Sequence, residues 1–285
     1  MPITLETINN IKINEIKVKK PHFPSNPDLP PFFFSILVMC GGRGFGKTNL
    51  SLNMLKLQAP YIDNVIIISP NAKTDPQVLE GLKGFQYKIY DDLTEDIVQE
   101  IETEIDNRID LYLNAVKLIK LIKKLNSKNP QFSDEEIETL EKMDTNNLEE
   151  MLKLYKKGRP PNTVLIVDDC MGSNILHQNQ GQFVKLLIKN RHRYLVPIIL
   201  IQNLKSLSAP IRKVANWLFF APTMDENYRK DLYSIVQGAI PTYHIFSELM
   251  DNVAKEKYSF LSVYNNGTHH SDVRINLNKK YKNII

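Results

Sequence analysis

Continuous apolar runs, rather than alternating ones, set the rhythm of this chain. Residues 32–40 (FFFSILVMC), 64–69 (NVIIIS), 194–202 (YLVPIILIQ) and 216–220 (NWLFF) are apolar at odd and even positions alike, and so is the start of 163–169 (TVLIVDD). A strand with apolar side chains on both faces belongs in a sheet that helices cover on both sides. Residues 87–90 predict a further short strand. Helical spacing fills the gaps: Leu50, Met54 and Leu57 share one face after the first run, and 182–190 and 224–236 also read as helices. Near the end, 257–264 and 272–277 flank Asn265-Asn266-Gly267, a hairpin signal. Strands alternating with helices predict an α/β fold with a mainly parallel central sheet and a C-terminal β-hairpin.

Two stretches depart from that rhythm. From 93 to 157 there is no strand signal. Leu93, Ile97, Ile101, Ile105 and Ile109 step by four and form an apolar stripe on a long helix. Acids crowd its start (Glu95, Asp96, Glu100, Glu102) and lysines its end (Lys117, Lys120, Lys123, Lys124), which suits the helix dipole. Pro130 breaks it, and Ser133 with Glu136 predicts a capping box opening a second helical stretch to about residue 157. This is read as a helical insertion between two strands, either a solvated hairpin or a docking surface. At the N-terminus, 8–18 alternates as an edge strand or bulged arm, and Pro21, Pro24, Pro27, Pro30 and Pro31 make an extended linker. The expected organisation is an arm and linker over 1–31, a main α/β domain over 32–240 with the insertion at 93–157, and a helix and hairpin extension over 241–285.

The chemistry lies where the runs end. Residues 41–48, GGRGFGKT, fit G-x-x-x-x-G-K-[ST], with a strand before and a helix after. In that context backbone N–H groups converge on a β-phosphate and the helix N-terminus adds its dipole. Gly41, Gly42, Arg43, Gly44, Phe45, Gly46, Lys47, Thr48 and Asn49 form the candidate nucleotide-binding segment. Lys47 is placed to reach the β- and γ-phosphates, and the Thr48 hydroxyl to ligate Mg2+. Arg43 is either a further basic group near the phosphates or solvent-facing. The run at 163 ends in Asp168 and Asp169, and a charge at a buried strand's tip must face a cavity, a cation or water. Asp168 is the expected Mg2+ ligand and Asp169 the residue that orients the attacking water. The run at 194 ends in Gln202.

Composition adds bounds. The chain has 285 residues, 42% apolar, enough for a full core, and a net charge of +4 that permits an acidic partner without demanding one. No apolar stretch reaches the length of a membrane span, and the N-terminus lacks a signal core, so secretion is not expected. Two cysteines, Cys40 and Cys170, exclude a disulfide framework and point to a reducing compartment. His177, His192, His244, His269 and His270 show no metal-ligand spacing, and Trp217 reads as core.

The order of GGRGFGKT (41–48), TVLIVDD (163–169), NRHRYLVPIILIQ (190–202) and APIRKVANWLFF (209–220) resembles the FtsK–HerA superfamily of DNA-pumping ATPases, and within it the genome-packaging ATPases of large DNA viruses, virophages and related elements. The resemblance covers about 32–220. It implies a P-loop NTPase of the additional-strand type, binding ATP and Mg2+, in which the strand ending at Gln202 lies between the P-loop strand and the Asp168 strand. Gln202 would then sense the γ-phosphate. Two strand spacings, about 9–10 Å, would separate Cys40 from Cys170, too far for a disulfide. The resemblance further implies a homo-oligomeric ring, pentamer or hexamer, with an arginine inserted from the neighbouring subunit; Arg191, Arg193 and Arg212 are the candidates. The implied partners are double-stranded DNA, bound without sequence preference, and capsid or membrane-associated virion proteins, at the virion or a host-cell site of viral assembly. Asp169 departs from the glutamate many members carry there and is one methylene shorter. A P-loop kinase or GTPase is a rival reading, against which stand the paired acids, Gln202 and the absence of GTPase base-recognition motifs. A non-enzymatic, nucleotide-binding capsid-assembly scaffold is the other, and a cellular-type DNA translocase of the same superfamily is a variant of the first.

Overall fold

In the computed structural model, residues 29–127, 129–141, 147–264 and 272–281 are described. The predicted arm at 8–18, most of the proline-rich linker and the Asn265-Asn266-Gly267 turn lie outside them. The strands are β1 (Leu37–Cys40), β2 (Asn64–Ile68), β3 (Tyr87–Tyr90), β4 (Thr163–Asp168), β5 (Leu195–Ile201), β6 (Trp217–Phe220), β7 (Leu261–Tyr264), β8 (Asp272–Ile275) and β9 (Lys279–Lys280). They form one sheet in the order β3-β2-β4-β5-β1-β6-β7-β8-β9. β1 to β6 are parallel to one another, and β7 to β9 continue the sheet antiparallel.

The continuous apolar runs follow from what covers each face. Leu37 and Met39 of β1 pack with Leu52, Met54 and Leu55 of α1 (Lys47–Leu57) and Val78 of α2 (Pro76–Gly81). Val38 and Cys40 point to the other face, against Ile101 and Ile105 of α3 (Glu95–Leu125), Phe183 of α6 (Gln182–Ile188), Ile211 of α7 (Ala209–Val214), Leu232 of α8 (Glu226–Val236) and Phe246 of α9 (Tyr243–Ala254). With apolar layers on both sides, alternation has no water-facing side to record.

The insertion is helical and sits between β3 and β4 in sequence: α3, then α4 (Asp134–Glu141) and α5 (Leu148–Lys156), which packs along α3. Its four-residue stripe is confirmed, with Ile101 and Ile105 fully buried and Ile97 and Ile109 packed against the same core. The capping box also forms, with the Ser133 N–H donating to Glu136 Oε2 at 2.9 Å and the Glu136 N–H to Ser133 Oγ at 3.3 Å. A buried Asp63 closes the insertion's return: it accepts from Lys157, from Arg159 at 2.6 Å and from the Asn162 N–H at 2.7 Å.

Two expectations are corrected. The strand predicted from residue 32 starts only at Leu37, because Phe34 turns the chain at φ 69° and Phe32 and Phe33 are buried as a plug under the sheet. The buried face of α1 is Ser51, Leu52, Met54 and Leu55, and Leu57 is 50% exposed. β7 pairs with β6 along its whole length and is buried except at Tyr264. Lys279 and Lys280 form β9 on the edge of β8.

Candidate functional site: a phosphate cleft at the carboxyl edge of the parallel strands

The strand tips of β1, β4 and β5 open on one side of the sheet into a cleft of about 1020 Å3. The chain leaves β1 through the glycine loop. Gly44 (φ 76°) and Gly46 (φ 86°) take left-handed conformations that a side chain would resist, and this lets the loop fold back over the start of α1. Gly46 is the N-cap of α1 and no side chain caps the helix, so its first N–H groups face the cleft. Gly41 is fixed differently. A Cβ there would lie 2.4 Å from the Ala221 Cβ, and the Ala221 N–H donates to Cys40 O at 2.8 Å, so the loop's first residue is pressed against the end of β6.

Lys47 Nζ donates to Gly41 O at 2.6 Å and Gly42 O at 2.9 Å. Burial lowers its pKa, while Asp168, Cys40 and Asp169 pull the other way. The Thr48 hydroxyl donates to Asp168 Oδ2 at 2.7 Å. Burial raises the Asp168 pKa, and Thr48 and Lys47 only partly offset it. A hydroxyl beside a carboxylate that is costly to keep ionised is a donor pair suited to a cation. Among the described residues no group of three or more His, Cys, Asp or Glu forms a metal cluster. That fits Mg2+, which takes one or two protein ligands and fills its other positions with water and phosphate oxygens. A zinc-type cage is not offered.

Successive residues of a strand point to opposite faces, yet both Asp168 and Asp169 line this cleft. The reason is local: β4 ends at Asp168, and Asp169 turns into the left-handed region at φ 54°. Aspartate tolerates that conformation better than most residues. The turn aims its carboxylate between two neighbours, Arg43 at 3.4 Å and Gln202 Nε2 at 3.4 Å. Both are long contacts, and Arg43 is 81% exposed, so neither locks the carboxylate. Gln202 stands one residue past β5, which pairs with β1 on one side and β4 on the other. Its backbone N–H donates to Met171 Sδ at 3.3 Å.

Lys47, Thr48, Asp168, Asp169 and Gln202 therefore meet around one cleft, joined by Arg43, Gly44, Gly46 and Asn49. Phe45 is half-buried against the α1-side core. Arg191, Arg193 and Arg212 do not line the cleft of their own chain. Arg191 is exposed, Arg212 donates to Leu207 O at 2.9 Å, and Arg193 is held by Glu102 and, at 2.9 Å, by Asp106. Arg191 and Arg193 precede β5, whereas Gln202 follows it; seven strand residues, about 23 Å of chain, lie between. Both cysteines are free and buried; Cys40 Sγ lies 2.8 Å from the Tyr228 hydroxyl, and burial pushes its pKa up to about 11.

Sequence reading missed Tyr228, whose hydroxyl also accepts from the Leu204 N–H at 3.2 Å and so ties α8 to the turn after Gln202. It missed Met171 and the segment at Tyr258 and Asn276 to Asn278, which also lines the cleft. Nothing in spacing marks these residues, because they arrive from elements and loops distant in sequence.

No family model matches the chain. It is 30% identical over 127 residues to the uncharacterized protein 088R of Invertebrate iridescent virus 3, a match spanning 43% of this chain and about half (48%) of that relative. Among solved structures it is similar to the genome packaging NTPase B204 of Sulfolobus turreted icosahedral virus 2 in complex with ATP-gammaS, at 19% identity and a TM-score of 0.43 over 84% of this chain and 95% of that one. The AMP complex of B204 gives 17% identity and a TM-score of 0.47 over 84% and 96%. The N-terminal domain of zonular occludens toxin from Neisseria meningitidis gives 14% and 0.33 over 67% and 78%. The solved structures to which this chain is similar thus include viral genome-packaging NTPases.

Proposed function

We propose that this protein is a Mg2+-dependent ATPase that works as a homo-oligomeric ring and drives double-stranded DNA, without reading its sequence, into a preformed viral capsid. One observation carries the reading: a P-loop lysine and threonine, two strand-tip aspartates and a strand-tip glutamine, far apart in sequence, line a single cleft. The similarity of the chain to packaging NTPases bound to nucleotides is in keeping with it.

In this reading Lys47 exchanges the loop carbonyls of Gly41 and Gly42 for the β- and γ-phosphate oxygens. Thr48 and Asp168 would hold Mg2+, which would neutralise charge on the phosphates when bound. Asp169 aligns a water against the γ-phosphorus and accepts its proton as the bond to the ADP oxygen breaks. Gln202, beside Asp169, registers whether the γ-phosphate is present and passes that state to the turn held by Tyr228. A neighbouring subunit supplies an arginine to the transition state, typically worth about 10³–10⁵ in rate. Arg193 would first have to leave Glu102 and Asp106, which ranks it below Arg191 and Arg212. The exposed surface of α3 to α5 is the face offered to capsid or membrane-associated virion proteins at a site of viral assembly. In the described residues no helix is long and apolar enough to cross a membrane.

The test is ATP turnover with and without double-stranded DNA. Lys47→Ala and Asp169→Asn should each lower kcat by about 10²-fold or more. Full activity in both would end the site assignment. Tight nucleotide binding with no turnover would favour the scaffold reading.

A further inference from the structure

The cleft has a second side that the phosphate chemistry does not use. Asp168 and Gln202 lie on the β5 and β4 side of the P-loop strand. On the opposite side, β7 begins and β8 ends at the edge where β6 ends, because Leu261 pairs with both Phe220 and Ile275. Antiparallel pairing therefore delivers two loops to the phosphate edge: the segment entering β7, with Tyr258, and the turn leaving β8, with Asn276, Leu277 and Asn278. All four residues line the cleft.

Tyr258 is an aromatic side chain, 58% exposed, in a left-handed conformation (φ 60°). Bulky residues seldom adopt that conformation, and an exposed ring gains nothing from burial to offset its cost. The backbone beneath it is rigidly held. The Phe260 N–H donates to Asn276 Oδ1 at 2.9 Å, Asn276 Nδ2 donates to Ser259 Oγ at 3.2 Å, and the Asn276 N–H donates to Phe260 O at 2.8 Å. Asn276 is itself left-handed (φ 51°), and Ser259 and Phe260 are buried. The Tyr258 Cβ lies 3.8 Å from where a Cβ on Gly46 would stand, so the ring is beside the turn that cradles phosphate.

We propose that Tyr258 is the stacking platform for the nucleoside of the bound triphosphate, with the exposed Asn278 amide beside it to hydrogen-bond the base edge or ribose. The inference rests on the nucleotide reading of the P-loop. A triphosphate whose γ end points to Asp168 and whose β-phosphate lies in the loop must leave its nucleoside on the β6 side, where this ring stands. An anchored, amphipathic aromatic loses little entropy on stacking; Lys257 Nζ stands over one face, 4.9 Å from the ring centroid, and the other face accepts any base. Selection among bases then falls to Asn278, whose amide offers both donors and an acceptor.

The experiment compares binding of Mg-ATP with binding of inorganic tripolyphosphate, which has no base to stack. Tyr258→Ala should weaken ATP about tenfold and leave tripolyphosphate unchanged. Tyr258→Trp should restore ATP affinity, and the introduced indole's emission should be quenched by ATP and not by tripolyphosphate; the native Trp217 is fully buried and supplies a constant background. Equal loss of both ligands in Tyr258→Ala, no loss of either, or an indole indifferent to ATP overturns the platform. Lys47→Ala separates the two failures: it should abolish tripolyphosphate binding whatever Tyr258 does. Tripolyphosphate that still binds to it at wild-type strength removes the phosphate site, and the platform with it.

Discussion

Asp168, half-buried, and Asp63, buried, are carboxylates at the ends of strands, and they are tuned in opposite directions. Burial raises Asp168, and its neighbours do not make up the difference. Its ionised form is therefore a liability in the nucleotide-free fold, and its contribution to stability fades as pH rises through the folded-state value. Asp168→Asn should raise the melting temperature of the nucleotide-free protein while lowering turnover by about 10²-fold or more. A drop in melting temperature would contradict that account. At Asp63 burial also pushes the pKa up, but Lys157, the Asn162 N–H and Arg159 outweigh it and hold the carboxyl below the usual range. Its stabilisation is complete above the unfolded value of about 3.9 and is lost as pH falls through the lower folded value. Asp63→Ala should cost about 3 kcal/mol at neutral pH, because Arg159 is left buried without its partner, and should flatten the acid limb of stability; denaturant melts between acid and neutral pH read both. Asp168, Asp169 and Gln202 were legible from the sequence as cleft-lining residues because each stands at or just past the end of an apolar run. Tyr258 was not, since it fell inside a stretch expected to be strand, and only its left-handed backbone sets it apart.

At the level of elements, period alone separated the sheet from the insertion, and burial on both faces explains why the strands were visible as unbroken runs. The same signal misled at residues 32–34, where apolar side chains fill a turn instead of a strand: burial leaves the same mark on either conformation. On α1, Leu50, Met54 and Leu57 fit a helical face, but the packed face is rotated toward Leu52 and Leu55, and Leu57 borders the cleft. α3 is the element on which the insertion depends. Ile101 and Ile105 are buried against the sheet, and Arg193 joins its Glu102 and Asp106 to the turn before β5. Ile105→Ala should destabilise by about 2–5 kcal/mol. Arg193→Ala, on a partly solvated pair, should cost less than Ile105→Ala in the same denaturant melts, and the reverse order would show that ion pairing, not packing, docks the helix.

For the whole molecule the sheet order matters most. β5 stands between β1 and β4, so Gln202 sits beside the P-loop strand and the Asp168–Asp169 strand tip beside it in turn. That order came from the resemblance; the spacing of motifs along the chain cannot supply it, because crossovers permute strands freely. If the protein works as a ring completed by a neighbour's arginine, turnover per subunit should rise with protein concentration and be stimulated by double-stranded DNA. That stimulation should fall by at least about tenfold between 50 and 200 mM salt, because the contacts are to phosphates. Turnover independent of concentration, with DNA stimulation insensitive to salt, would exclude both the shared site and the electrostatic grip.

If the protein is the motor proposed above, the close approach of Gly41 to Ala221 carries a consequence for how strokes leave the phosphate edge. With no spare space between them, the loop cannot recoil after product departs unless the tip of β6 travels with it. Gly41→Ala should therefore jam the engine and not merely weaken its grip on fuel, and a second change, Ala221→Gly, should free it. Such mutual rescue between two small residues 180 positions apart would identify the gear that meshes hydrolysis with the far half of the sheet.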